Sequence, residues 1–320
     1  MSGISVASRV LILGSSGLIG SACLRLLNMK GYQYVDHPSR ATLDLLNAQA
    51  VHDYCKSTQP AIIILAAGVV GGIQYNKTYP ADFINRNLAI QLNVFQAAKE
   101  VHVKKLIFFG SSCMYPRECP QPMTEDRLLT GVPEPTSMSY AISKLAGVQL
   151  CHAYNQQYAE GHYIALIPNS TYGINDDFDP HTGHVISAMI TKLHHAKCNN
   201  LPSITFWGTG APRREFIYAD DVASAVLHVL QQDKVLMPLN IGVGHDWSIK
   251  EIAEIISEEI GYTGEIRWDT TKPDGAPRKL LDNSQLISLG WQPSVDIREG
   301  LRKTYDWYVN HADILEKETI

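Results

Sequence analysis

A serine at position 111, a tyrosine at 140 and a lysine at 144 stand in an order that can deliver a proton to a carbonyl oxygen. A phenol with a pKa near ~10 is a poor acid–base group at neutral pH. In Tyr140-Ala141-Ile142-Ser143-Lys144 the ammonium lies one helical turn from the phenol and favours the phenolate, so Tyr140 can give and regain a proton. Ser111 opens Ser111-Ser112-Cys113-Met114-Tyr115 just after a strand-length apolar run, where its hydroxyl can hold the oxygen that accepts this proton. Y-x-x-x-K alone is common, so its weight depends on what lies upstream.

Upstream stands a nucleotide cradle. Arg9 to Leu13 is a short apolar run; Gly14, Ser15, Ser16, Gly17, Leu18, Ile19 and Gly20 follow, and a helical pattern continues to Met29. Strand, glycine turn and helix are the context in which a dinucleotide is held. The glycines allow a tight turn and close backbone approach, and the helix N-terminus offers N–H groups to a pyrophosphate. The spacing is G-x-x-G-x-x-G rather than G-x-G-x-x-G. Asp36, near the end of the second strand, can bond a ribose 2′-hydroxyl and favour NADH, whereas Arg40 can cap a 2′-phosphate. NADPH is the expected cofactor and NADH the alternative.

The elements that must position these groups alternate. Strands are expected at Val10–Leu13, Tyr32–Val35, Ala61–Leu65, Lys105–Phe109, Tyr163–Ile167 and Leu239–Ile241. Helices are expected at Leu18–Met29, Ala48–Ser57, Asp82–Val101, Tyr140–Tyr158, Val185–Ala196, Asp221–Gln231, Ile249–Ile260 and near Arg298–Val309. Near-continuous apolar strands are buried on both faces, as in a parallel sheet covered by helices. The fold class is therefore α/β, a doubly wound parallel Rossmann sheet with a smaller C-terminal substrate lobe. Residues 1–170 with about 216–243 form the nucleotide-binding domain; about 171–215 and 244–320 form the lobe. Gly14, Ser111 and Pro168 all fall at strand carboxyl ends, where ligands of such sheets bind.

Composition narrows the class. The 320 residues are 45% hydrophobic and 18% charged, enough for a large core. A net charge of −5, without Lys/Arg runs, gives no electrostatic case for nucleic acid or a membrane surface. Six cysteines without metal-ligand spacing, and no secretory pattern at the N-terminus, suit reduced thiols in a cytoplasmic enzyme without a metal. The helix from Tyr140 is apolar nearly all round, which suggests a homodimer built on it and on Asp82–Val101.

The chain resembles the extended short-chain dehydrogenase/reductases and, within them, the family of GDP-4-keto-6-deoxy-D-mannose 3,5-epimerase/4-reductases. The resemblance runs through Gly71-Gly72-Ile73, Pro80-Ala81-Asp82-Phe83-Ile84, Ser111-Ser112-Cys113-Met114-Tyr115-Pro116, Gln121-Pro122-Met123 and Tyr140-Ala141-Ile142-Ser143-Lys144. It continues through Gly183-His184-Val185, Trp207-Gly208-Thr209-Gly210, Arg214-Glu215-Phe216, Lys272-Pro273-Asp274-Gly275 and Pro277-Arg278-Lys279.

That resemblance implies two chemistries on a GDP-sugar. A 4-keto group acidifies the hydrogens at C3 and C5, and Cys113 and His184 match the family's base and acid for epimerisation; from spacing alone, Cys113 is equally an inert thiol or a disulfide partner of Cys119. Hydride transfer to C4 then pairs with proton donation from Tyr140, supported by Ser111 and Lys144. The cofactor contacts implied beyond the glycine turn and Arg40 are Phe109, Gly110, Ser111, Ser112, Lys144, Pro168, Asn169, Ser170, Thr171 and His184. Lys192, Trp207, Arg214, Asp274 and Lys279 match substrate positions. The chain departs from the family at Ser137 and Ser170, where Asn is common, at Val69 in place of a Lys, and at Ser16 in place of an Arg that some relatives use for NADPH. The two serines open the alternative of another 4-keto sugar nucleotide, such as a heptose.

Overall fold

The computed structural model describes residues 4–158, 162–180, 182–233 and 235–318, with side chains at all of these but 73 and 312–318. The first half runs β1 (Val10–Leu13), α1 (Leu18–Met29), β2 (Val35–Asp36), α2 (Ala48–Thr58), β3 (Ile62–Leu65), α3 (Ile73–Thr78), α4 (Pro80–Glu100), β4 (Lys105–Phe109), α5 (Met138–Gln157) and β5 (His162–Pro168). The second half runs β6 (Ser170–Tyr172), α6 (Val185–Cys198), β7 (Ser203–Trp207), β8 (Arg213–Arg214), β9 (Phe216–Tyr218), α7 (Ala219–Gln231) and β10 (Leu239–Ile241). It ends with β11 (Trp247–Ser248), α8 (Ile249–Ile260), β12 (Glu265–Asp269), β13 (Arg278–Lys279), α9 (Ser284–Ser288) and α10 (Ile297–Glu318).

Among the described residues, the main sheet has the order β10-β5-β4-β3-β1-β2, and every pairing is parallel. Period-two alternation divides its side chains between two cores. Val10, Ile12, Ile62, Ile64, Ile107 and Ile164 pack with α1 and α7. Leu11, Leu13, Ile63, Leu65, Leu106 and Phe108 pack with α2, α4 and α5. The chain leaves β1 on one side to β2 and returns on the other as β3. A crevice opens where such an order reverses, at the carboxyl ends of the strands. The doubly wound parallel sheet is present as the apolar runs require.

A third cluster joins α6, α8 and α10 through Ile190, Leu193, Ile252, Ile256, Leu301 and Tyr308. Short pairings serve it: β6 with β9, β7 with β12, and β11-β8-β13.

Several boundaries differ from expectation. The second strand is Val35–Asp36, not Tyr32–Val35; the buried Tyr32 closes the end of α1 through its N–H to Leu27 O at 3.1 Å. α4 starts at Pro80, whose missing N–H suits the first helical turn, and α3 precedes it as a separate element. The final helix extends to Glu318, well past Val309. On α5, the residues Ala141, Leu145, Val148 and Cys151 are covered within the chain, chiefly by α4 and the sheet, while Ile142 stays exposed. Its apolar circumference is thus largely satisfied without a partner.

Candidate active site

The cradle after β1 is built by backbone contact. Gly14 has φ +91°, and a Cβ on Gly20 would stand 2.0 Å from Gly14 O, so α1 can approach the turn only with glycine there. No side chain caps the first turn of α1, which leaves its N-terminus available to an anion. Asp36 Oδ2 is shielded from solvent without a hydrogen-bond partner, and Arg9 lies 4.0 Å away; Arg40 is exposed close by in sequence. These features fit a dinucleotide with pyrophosphate on Gly14–Gly20 and its adenosine ribose near Asp36 and Arg40.

Ser111, Tyr140 and Lys144 come together as their order suggests. Ser111 follows Gly110 at the end of β4, and its side chain is hydrogen-bonded to Tyr140 while its Oγ accepts the Cys113 N–H at 3.2 Å. α5 reaches this strand because Gly147 lies flush on the Phe108 ring, where a Cβ would be 2.2 Å away. Lys144 Nζ then donates to Phe109 O at 2.9 Å and stands 5.7 Å from the Tyr140 ring centroid. Burial dominates both groups: it pushes the Tyr140 phenol up, and it pulls Lys144 down to about 8. With its phenol pushed up by burial, Tyr140 holds a proton to give.

Cys113 is half-buried and free, as is Cys119, so the disulfide alternative falls. Burial alone would push its thiol up. The Lys279 ammonium, which donates to Sγ at 3.7 Å, and the hydroxyls of Ser111 and Ser137 bring it below the ordinary thiol value. Ser137, one departure from the family, is thus a thiol contact.

Two residues of this neighbourhood escaped the sequence reading. Asn87, 2% exposed on α4, clamps the loop after β3 by accepting Val69 N–H at 2.8 Å and donating to Val69 O at 3.0 Å. Glu215, fully buried, accepts Val243 and Gly244 N–H on Oε1 at 2.7 and 2.8 Å. On Oε2 it accepts the Asn169 amide at 2.6 Å and Leu281 N–H at 3.0 Å. The detectable signals were a polar residue on the inner face of an apolar helix and an acid inside the Arg-Glu-Phe motif.

The Asn169 side chain is engaged by Glu215 and the Lys279 carbonyl, and its backbone N–H donates to Ile241 O at 3.2 Å. Pro168 ends β5; Ser170 and Thr171 lie on β6 and, with His184 and Phe216, line a cavity of ≈ 50 Å³. His184 precedes α6, exposed, and its positive charge, when present, opposes the upward shift that burial gives Asp176. The 182–183 segment meets Gly72, whose N–H donates to Thr182 O at 3.0 Å. Lys192 is half-buried on α6. Trp207 is 73% exposed, with Lys272 Nζ 5.9 Å from its ring. Arg214 pairs in register with Lys279. Asp274 is exposed, and its carboxylate accepts Thr209 N–H at 2.9 Å and Thr209 Oγ1–H at 2.7 Å.

The chain belongs to the NAD dependent epimerase/dehydratase family, whose profile matches residues 10–242. Within this class it is 45% identical to GDP-L-fucose synthase 1 of Arabidopsis thaliana, over 96% of this chain and 94% of that protein. Among solved structures it is similar to a GDP-6-OMe-4-keto-L-xylo-heptose reductase from C. jejuni, at TM-score 0.90 and 33% identity over 97% of this chain and 100% of the other. It is also similar to a GDP-mannoheptose C4 reductase from Campylobacter jejuni with NADP bound, at TM-score 0.87 and 34% identity over 96% and 100%.

Proposed function

We propose that this enzyme converts GDP-4-keto-6-deoxy-D-mannose to GDP-L-fucose by 3,5-epimerisation followed by NADPH-dependent reduction of the 4-keto group. The observation that carries the reading is the sharing of Ser111: its Oγ accepts the Cys113 N–H, and its side chain is hydrogen-bonded to Tyr140. A reductase alone needs Ser111, Tyr140 and Lys144; a thiol at the same oxygen serves proton exchange beside the keto group. In epimerisation the Cys113 thiolate takes the proton from C3 or C5, the C–H electron pair moves into an enolate, and His184 returns a proton on the other face. NADPH, held by Gly14–Gly20 and Arg40, supplies a hydride to C4 when bound. Tyr140 then gives its proton to O4 while Ser111 holds that oxygen and Lys144 supports the phenol.

Incubation with NADPH and the 4-keto sugar nucleotide, followed by NMR of the product, tests the assignment; unchanged substrate would remove it. The alternative is a GDP-4-keto-heptose, favoured by Ser137 and Ser170 and by the heptose reductases among the structural relatives. Faster turnover of the heptose in the same assay would select it.

Arg40→Ala is expected to weaken NADPH binding while leaving NADH little changed, because only NADPH carries the 2′-phosphate. Equal losses for both cofactors, measured by fluorescence titration, would point instead to Asp36 and the ribose. We place the protein in the cytoplasm, consistent with six free cysteines, and no described helix is long and apolar enough to cross a membrane. We divide it into a nucleotide domain (1–170 with about 216–243) and a substrate lobe (about 171–215 and 244–320). A homodimer through α4 and α5 would cover the exposed Leu92 and Ile142. Light scattering is expected to give twice the chain mass; a value near 35.5 kDa would exclude the dimer.

A further inference from the structure

Lys279 matches a position expected to hold the sugar nucleotide, yet its nearest reacting atom belongs to the protein. It is half-buried on β13, and its Nζ donates to Cys113 Sγ at 3.7 Å across 166 positions of sequence. Among the described residues it makes no ion pair with a carboxylate. Two buried carboxylates stand beside its strand: Glu215 has both oxygens filled by other N–H donors, and Asp246 is taken by Arg213 and Arg278. Those bonds fix the backbone around Lys279 from both sides: Leu281 N–H donates to Glu215 Oε2 at 3.0 Å, and Glu215 N–H donates to Lys279 O at 3.2 Å. Next to it, Arg278 and Arg213 share the buried Asp246 carboxylate, which ties β13 to β8.

We propose that Lys279 is a catalytic residue of the proton exchange: its ammonium holds Cys113 as the thiolate that removes the proton beside the keto group. The inference rests on the epimerase reading above and deepens it. A thiol at its ordinary value near ~8.5 is only a few per cent ionised at neutral pH, and an adjacent ammonium is a general way to raise that fraction. The other groups facing the sulfur are the hydroxyls of Ser111 and Ser137, the Tyr140 phenol from α5 and the Arg214 guanidinium from β8. Arg214 adds positive field, but the carboxylates of Asp274 and Glu134 act on it as well, and its Nη1 donates to Arg213 O at 2.8 Å. Lys279 is the cation in hydrogen-bonding contact. In the step, the Sγ–H bond forms as the sugar C–H bond breaks, the electron pair passes to the enolate oxygen, and Lys279 remains an ammonium throughout. The proton returned by His184 is replaced from solvent, and the thiol releases its own to solvent.

The test is peptide-resolved alkylation of the whole protein with iodoacetamide between pH 5 and 10, with exposed Cys198 as internal reference. In the unaltered protein, Cys113 is expected to alkylate with a midpoint below that of Cys198. A midpoint at or above that of Cys198 would overturn the proposal without any variant. Lys279→Met should raise the Cys113 midpoint and cut its alkylation at pH 7 by about tenfold, the effect of one pKa unit, while Lys279→Arg retains most of it. With the 4-keto sugar nucleotide, solvent-deuterium exchange by the Met variant should recover as pH rises. A Met variant that binds NADPH normally, keeps the Cys113 midpoint and shows only a raised KM would make Lys279 a substrate anchor and nothing more. Alkylation uses no substrate, so a wrong sugar would show as absent exchange with the thiol midpoint still low.

Discussion

Replacing Tyr140 with phenylalanine is expected to lower kcat for the keto reduction by roughly 10²–10⁴-fold, the scale of losing one positioned acid. The ring stays: it is 9% exposed and meets Phe83 edge-on at 6.0 Å, so Tyr140→Phe keeps its packing and loses one hydroxyl. NADPH binding should persist, because the nucleotide cradle lies on β1 and α1. Solvent-deuterium exchange into the sugar should persist as well, since the thiol keeps Lys279, Ser111 and Ser137 around it. The decisive measurement is single-turnover oxidation of NADPH alongside exchange followed by NMR. Near-normal hydride transfer in the variant would take Tyr140 out of the chemistry.

Cys113→Ser and His184→Gln are expected to do the reverse, each suppressing exchange at C3 and C5 by about 10²–10⁴-fold while changing NADPH affinity little. Serine at 113 keeps the size of the side chain but ionises far above neutral pH, so Lys279 beside it has no anion to hold. His184 is exposed before α6, so its replacement removes little buried surface. The two variants can be told apart by position: if base and acid act on opposite faces, exchange at one carbon can survive in one variant and not in the other. Exchange persisting at both carbons in both variants would return Cys113 to the status of an ordinary thiol.

What was legible in the sequence was local. β1, β3 and β4 are continuous apolar runs, α1, α4 and α7 carry helical periods, and α5 is apolar nearly all round, so the parallel sheet and its glycine turn stand out. Ser111, Tyr140 and Lys144 could be placed because two of them share a helix and the third ends a strand. β2 was misplaced because two residues carry no period, and its pairing with β1 is set by the sheet rather than by its own side chains. The two- and three-residue strands β6, β8, β9 and β13 are invisible for the same reason. Glu215 was passed over because a charged residue is normally solvent-facing, and only the folded chain supplies the four donors that let it be buried. The Lys279–Cys113 contact joins positions whose proximity no local pattern encodes. The internal partners of Asn169 and Asp274, Glu215 and Thr209, lie 46 and 65 residues away and could not be read beside them.

The Glu215 carboxylate also limits how this molecule can handle a ligand. Its bonds gather the end of β5, the turn after β10 and the backbone just after β13 onto one side chain. A cleft that closes by hinging must flex somewhere along the seam between its halves, and this part of the seam is pinned. The backbone beside Lys279 is thus tied to the ends of β5 and β10. If one sugar is to meet first the sulfur and then the hydride, a turn of the sugar ring about its nucleotide is the movement that a pinned seam leaves open.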